Sequence, residues 1–109
     1  MASRFSIITD DLEHCIICGS PRVEIHHIFG GANRSNSEKY HLIIPLCHAH
    51  HNEPPNGVHH NEKMMLWAHA LGQLYFETVA DHSRFMDIFG RDYLNEYDSD
   101  PRDLVDSRL

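Results

Sequence analysis

Residues 24–53 read EIHHIFGGANRSNSEKYHLIIPLCHAHHNE, a stretch that packs six histidines and a cysteine into thirty positions. Four of the imidazoles come in adjacent pairs, His26 with His27 and His50 with His51, the second pair shortly after Cys47. Neighbours on a β-strand project to opposite faces. If EIHHIF is extended, His26 and His27 therefore do different work. One is expected to bind a metal and the other to handle a proton, since an imidazole does either near neutral pH.

The flanking segments define the elements. RVEIHHIF (22–29) is rich in β-branched and aromatic residues and predicts a short strand. GGANRSNSEKY (30–40) reads as a Gly/Asn/Ser loop. HLIIPLC (41–47) predicts a second strand, with Pro45 at an edge or a strand end. HAHHNE opens a short helix that Pro54, Pro55 and Gly57 interrupt. From Glu62 to about Val79 the residues Met64, Trp67, Ala68, Leu71, Leu74, Tyr75 and Val79 recur at helical spacing, as the core stripe of a long helix does. Another helix starts near His82 or Ser83, buries Phe85, Ile88 and Phe89, and weakens or ends at Gly90. Residues 1–13 read as a flexible polar arm, 14–97 as the functional domain, and 98–109 as an acidic, frayed tail.

A chain of 109 residues suggests one domain. Its 41% hydrophobic and 23% charged composition is that of a globular protein. No apolar run approaches the roughly 18 residues of a membrane span, and the N-terminus lacks a signal-peptide core. A cytoplasmic protein is expected. The net charge of −7 argues against a generic nucleic-acid binder, although much of the acid lies near the two ends and bound dications would add positive charge locally.

All three cysteines, Cys15, Cys18 and Cys47, fall into metal-ligand spacing. Cys15 and Cys18 form a C-x2-C pair, and Cys47 and His50 a C-x2-H pair after 28 intervening residues. Three thiolates and one imidazole suit tetrahedral zinc, because each two-residue spacing lets one tight turn aim two donors at one ion. His48 or His51 is an alternative fourth ligand; His50 mirrors the first pair. A core this small gains from such a staple. A redox C-x2-C is disfavoured, since no thioredoxin-like unit surrounds it.

Taken together, ICGSPRVEIHHIFGGANRSNSEKYHLIIPLCHAHHN followed by GVHH resembles the HNH endonucleases of the ββα-metal fold, in particular small zinc-containing proteins of phages and prophages. The likeness covers about residues 14–60. It implies an α+β fold, a small zinc-stabilised ββα-metal core with appended C-terminal helices. It also implies an activity, metal-dependent hydrolysis of DNA phosphodiester bonds. His27 would be the general base, His26 and His51 the ligands of a catalytic divalent ion (Mg²⁺, Mn²⁺ or another transition metal), and His59 a third ligand or a phosphate contact. Arg34 and Lys39 would be phosphate-binding cations. The partner would be DNA, double-stranded, cut by a homodimer or within a larger phage DNA-processing complex.

The sequence departs from that pattern in two places. His41 stands where the family has its middle Asn, so the loop-positioning role falls to His41, Asn33 or Asn36. The insertion EPPNGV separates His51 from His59. A competing expectation is a non-catalytic zinc module that binds DNA or a protein. His41, His48, His60, His69 and His82 read as ordinary surface or core histidines.

Overall fold

A computed structural model describes residues 4–105. Two four-residue strands form an antiparallel sheet: β1, Glu24–His27, and β2, Ile43–Leu46. The register pairs Glu24 with Leu46, His26 with Ile44 and His27 with Ile43. All four residues of β2 are buried, which accounts for its unbroken apolar run. Pro45 costs the sheet nothing there: its carbonyl accepts from Ile16 N at 2.9 Å, so the segment carrying Cys15 docks on β2.

Among the described residues five α-helices accompany the sheet: α1 (Arg34–Lys39), α2 (His48–His51), α3 (Glu62–Val79), α4 (His82–Phe89) and α5 (Tyr93–Glu96). Short 3-10 turns occupy Gly31–Asn33, Val58–His60 and Pro101–Leu104. The domain is a small mixed α+β fold, with the hairpin and α2 at one end and the longer helices packed behind. Side-chain caps open the long helices. Asn61 accepts from Met64 N at 3.1 Å at the start of α3, and Asp81 from Arg84 N at 2.8 Å at the start of α4. α3 ends at Val79, and α4 stops at the left-handed Gly90 (φ +74°).

The stripe expected on α3 needs two amendments. Phe76 is buried with Trp67, Ala68 and Leu71, whereas Val79 is 68% exposed in the last turn. Gly72 is also buried, and a Cβ there would lie 2.5 Å from Ile28 Cγ2. The missing side chain lets α3 press directly on the residue that follows β1. In α4, Phe85 and Phe89 are buried and Ile88 is half-buried.

Three segments expected to be irregular are ordered. Residues 30–40 contain α1, although RSNSEK is a weak helix former. Tertiary contacts outweigh propensity here. The buried Ser37 hydroxyl donates to Phe29 O at 2.8 Å and accepts from Phe29 N at 2.9 Å, and Tyr40 meets Phe76 edge-on at 5.3 Å. The described part of the N-terminal arm is packed. Ser6 and Ile8 are buried, Ser6 Oγ donates to Ile43 O at 2.6 Å, and Ile7 N donates to His41 O at 3.1 Å. At the other end Pro101 is buried and accepts the Trp67 indole N–H at 2.7 Å, because a buried indole needs an acceptor. Residues 1–3 and 106–109 of the expected arm and tail lie outside the described residues.

Candidate metal centres and cleft

The tight turn after Cys15 closes with Gly19 N donating to Cys15 O at 2.8 Å, and this turn presents Cys15 and Cys18 side by side. Cys47 precedes α2, and His50 lies one turn into it. The donor atoms of Cys15, Cys18, Cys47 and His50 all lie within 4.8 Å of one another. Cys18 Sγ is 3.8 Å from Cys47 Sγ. His50 Nδ1 is 3.2 Å from Cys47 Sγ and 3.7 Å from Cys15 Sγ. A tetrahedron with Zn–S of about 2.3 Å and Zn–N of about 2.0 Å has edges of roughly 3.8 Å and 3.5 Å. The cluster therefore fits a structural metal such as zinc, with His50 rather than His48 or His51 as the fourth ligand.

The protonation chemistry of the thiols agrees with that reading. Burial raises the Cys15 thiol but is outweighed by the backbone N–H groups of Cys47, Cys18 and Ile17, which leave it below its ordinary value. Burial and the neighbouring Cys15 charge push the Cys47 thiol up to about 11. Packing three thiols together disfavours three bare thiolates, and a dication is the natural partner for such a set.

A second cluster shares α2 with the first, through His51. One nitrogen from each of His26, His51 and His59 falls within a common 4.8 Å, a set that could also hold a metal ion. Each arrives from a different element: β1, α2 and the turn Val58–His60. The insertion 53–58 does not carry His59 away. Gly57 N donates to Glu53 O at 2.8 Å, and a Cβ on Gly57 would lie 2.7 Å from Glu53 N, so only glycine lets the loop close this tightly. Val58 is then buried, and His59 is returned to His51 with their Nε2 atoms 3.1 Å apart.

The orientation of these rings is set behind them. Glu24 Oε1 accepts from His51 Nδ1 at 2.8 Å, and Glu24 Oε2 from His48 Nδ1 at 3.2 Å. The first of these bonds, then the second, holds the Glu24 carboxyl below its ordinary value. With Nδ1 protonated, His51 turns its Nε2 lone pair toward the cluster, as a carboxylate behind a metal-ligating histidine does. His26 is 2% exposed, and its Nε2 is the sole buried side-chain nitrogen or oxygen without a partner among the described residues. Such an atom costs about 1–3 kcal/mol, a cost that coordination would remove. Burial, then the nearby His51, lowers the His26 pKa to about 3, and burial also lowers that of His59. Both imidazoles are thus neutral and available as ligands near neutral pH.

His27 is the last residue of β1 and lies outside the three-histidine set. Its Nε2 is 2.5 Å from Glu38 Oε1, and the same carboxylate is gripped by the Arg4 guanidinium. His27, then Arg4, keeps the Glu38 carboxyl below its ordinary value, so it is ionised. His26, His27, His51, His59 and Arg34 all line one cleft of about 380 Å³, together with Gly30 and Gly31. An adjoining hollow adds Asn33, His69 and Tyr93. His69 stacks on Phe29 at 5.0 Å, and burial lowers its pKa to about 4.

Two residues named from the sequence lie elsewhere. Lys39 places its ammonium 5.4 Å from the Tyr40 ring centroid, and it does not line the cleft. His41 occupies a left-handed conformation (φ +59°) between α1 and β2 and stacks on Phe5 at 3.7 Å, also off the cleft. Asn36 donates to Asn33 Oδ1 at 3.1 Å within the α1 turn. Sequence reasoning missed both carboxylates. Glu24 had a local signal, since it shares a strand face with His26 two residues later. Glu38 had none, because its approach to His27 depends on α1.

The chain matches no family model, no curated protein and no solved structure.

Proposed function

We propose that the protein is a metal-dependent endonuclease of the HNH type that hydrolyses phosphodiester bonds in DNA, built on a ββα-metal core. The observation that supports this most is the convergence of His26, His51 and His59 in the same cleft as His27. Adjacent positions on one strand thereby offer one imidazole that joins the three-histidine set and a second that stays outside it.

In this reading His27 takes the proton from the attacking water. The water oxygen bonds to phosphorus as the P–O3′ bond breaks, leaving a 5′-phosphate and a 3′ oxyanion that takes a proton from solvent to become the hydroxyl. Arg34 at the cleft wall neutralises a phosphate oxygen. A divalent ion on the three histidines would supply Lewis-acid stabilisation of the crowded phosphate and of the leaving oxygen. An all-imidazole set suits Zn²⁺, Ni²⁺ or Fe²⁺ better than Mn²⁺ or Mg²⁺, which prefer oxygen ligands.

The net charge of −7 favours a second reading, a zinc-stapled module that recognises a partner without cutting. One experiment separates the two. Supercoiled plasmid is incubated with zinc-loaded protein and added Mn²⁺, Ni²⁺ or Mg²⁺, beside His27→Ala of equal zinc content. Metal-dependent nicking by the wild type, reduced about 10²–10⁴-fold in the variant, is the expected result. A folded wild type that cuts with none of the ions would replace the nuclease with the binding module.

A further inference from the structure

We infer that Glu38 is the positioning residue of the general base: it accepts the Nε2–H of His27 and so presents Nδ1 as the proton-accepting atom. This rests on the nuclease reading for its catalytic consequence, but the hydrogen bond and the tautomer it selects can be tested without any cleavage.

The argument starts from how Glu38 reaches His27. The two are eleven residues apart, and the chain between them passes through two tight elements. Ser37 closes the path by exchanging two hydrogen bonds with the backbone of Phe29, and Leu42 N donates to Ser37 O at 2.8 Å. The first turn beyond β1 and the end of α1 are thereby tied at one point, immediately beside both side chains. Ser37 is fully buried, so the tie is not loosened by water.

The contact itself is one-sided. A neutral imidazole has one N–H and one lone pair, and an ionised carboxylate only accepts. Glu38 Oε1 at 2.5 Å from Nε2 therefore selects the tautomer that carries its proton on Nε2. The lone pair is left on Nδ1. This is the relation in which a carboxylate behind a catalytic histidine holds the tautomer and the ring orientation. The His27 side chain is 12% exposed and the Glu38 carboxylate 46%, so the imidazole is the enclosed member of the pair.

Arg4 explains how a carboxylate is tolerated beside a polyanionic substrate. Its guanidinium pairs with the same oxygen and cancels the Glu38 charge. Arg4 is held in turn by its neighbours: Phe5 stacks on His41, and Ser6 donates to Ile43 O. The N-terminal segment thus reaches His27 through Glu38.

The test compares zinc-loaded wild type with Glu38→Ala and Glu38→Gln. Nitrogen NMR of the ring reads the His27 tautomer without added catalytic metal, and plasmid nicking reads kcat and KM. The wild type should show Nε2–H and a bare Nδ1. Glu38→Ala should mix the tautomers and lower kcat by about 10–100-fold with KM little changed, below the roughly 10²–10⁴-fold that a base supplies. Glu38→Gln, whose amide oxygen still accepts, should recover most of both. A His27 that carries its proton on Nδ1, or that keeps its tautomer in Glu38→Ala, overturns the proposal. If the wild type cuts nothing yet Glu38→Ala shifts the tautomer, the nuclease reading fails and the positioning bond stands.

Discussion

His51 and His59 face each other Nε2 to Nε2 at 3.1 Å, while the opposite nitrogen of His51 is bound to Glu24. With His26 these two rings place three imidazole nitrogens close enough to share one ion. The Glu24 carboxylate should therefore matter to metal affinity although it touches no metal. Titration of Mn²⁺ or Ni²⁺ into zinc-loaded protein should show one further site per chain. Glu24→Ala should weaken it by about 10–100-fold, and His26→Ala or His59→Ala by more, with zinc content unchanged. Wild-type affinity in Glu24→Ala would show that the carboxylate is merely a surface acceptor.

The Cys/His cluster makes a different prediction. Structural zinc contributes an apparent 10–16 kcal/mol, about as much as the roughly 5–15 kcal/mol that holds a whole domain together. Cys47→Ser, or removal of zinc by a strong chelator, should abolish the cooperative thermal transition rather than shift it. Zinc analysis and calorimetry on the same samples check this. A cooperative melt in metal-free protein would assign the cluster no structural role.

Acid should act through His69. Its folded pKa of about 4 lies below the ordinary value of 6.5, so between these limits the unfolded chain binds more protons than the folded one. Its contribution is complete above pH 6.5 and is lost as pH falls, at up to about 1.4 kcal/mol per pH unit. His69→Phe keeps the stack on Phe29 and removes the proton. Urea unfolding at several pH values should show a shallower acid loss in the variant. Because zinc release is common to both proteins, equal slopes would contradict the burial of His69.

Gly72 is the point where α3 meets the end of β1. Alanine would gain about 1 kcal/mol of helix propensity. Its Cβ would also meet Ile28 Cγ2 at 2.5 Å. Overpacking of this kind costs about 1–3 kcal/mol, so Gly72→Ala should be neutral to destabilising in urea titrations at saturating zinc. A more stable variant would mean that α3 and β1 separate easily.

Local pattern carried much of this fold. The spacing of Cys15, Cys18, Cys47 and His50 announces a metal cluster because two-residue spacing is a property of single turns, and the structure gathers those four donors. The periodicity of 62–79 marks α3 because one apolar face must be buried whatever it packs against. The apolar run at 43–46 marks β2 for a similar reason. The pairing of His26 with His27 implies two faces, since alternation is intrinsic to a strand.

Tertiary structure alone decided the remainder. RSNSEK becomes α1 only because Ser37 bonds to Phe29 and Tyr40 packs on Phe76. Glu38 reaches His27 as a consequence of that helix, and Arg4 reaches Glu38 across 34 positions of sequence. The return of His59 depends on how closely Gly57 approaches Glu53, and the docking of Pro101 depends on an indole that needed an acceptor. Each of these is a contact between segments with no shared periodicity. Their energies appear only once the chain has closed on itself, and no local pattern records them.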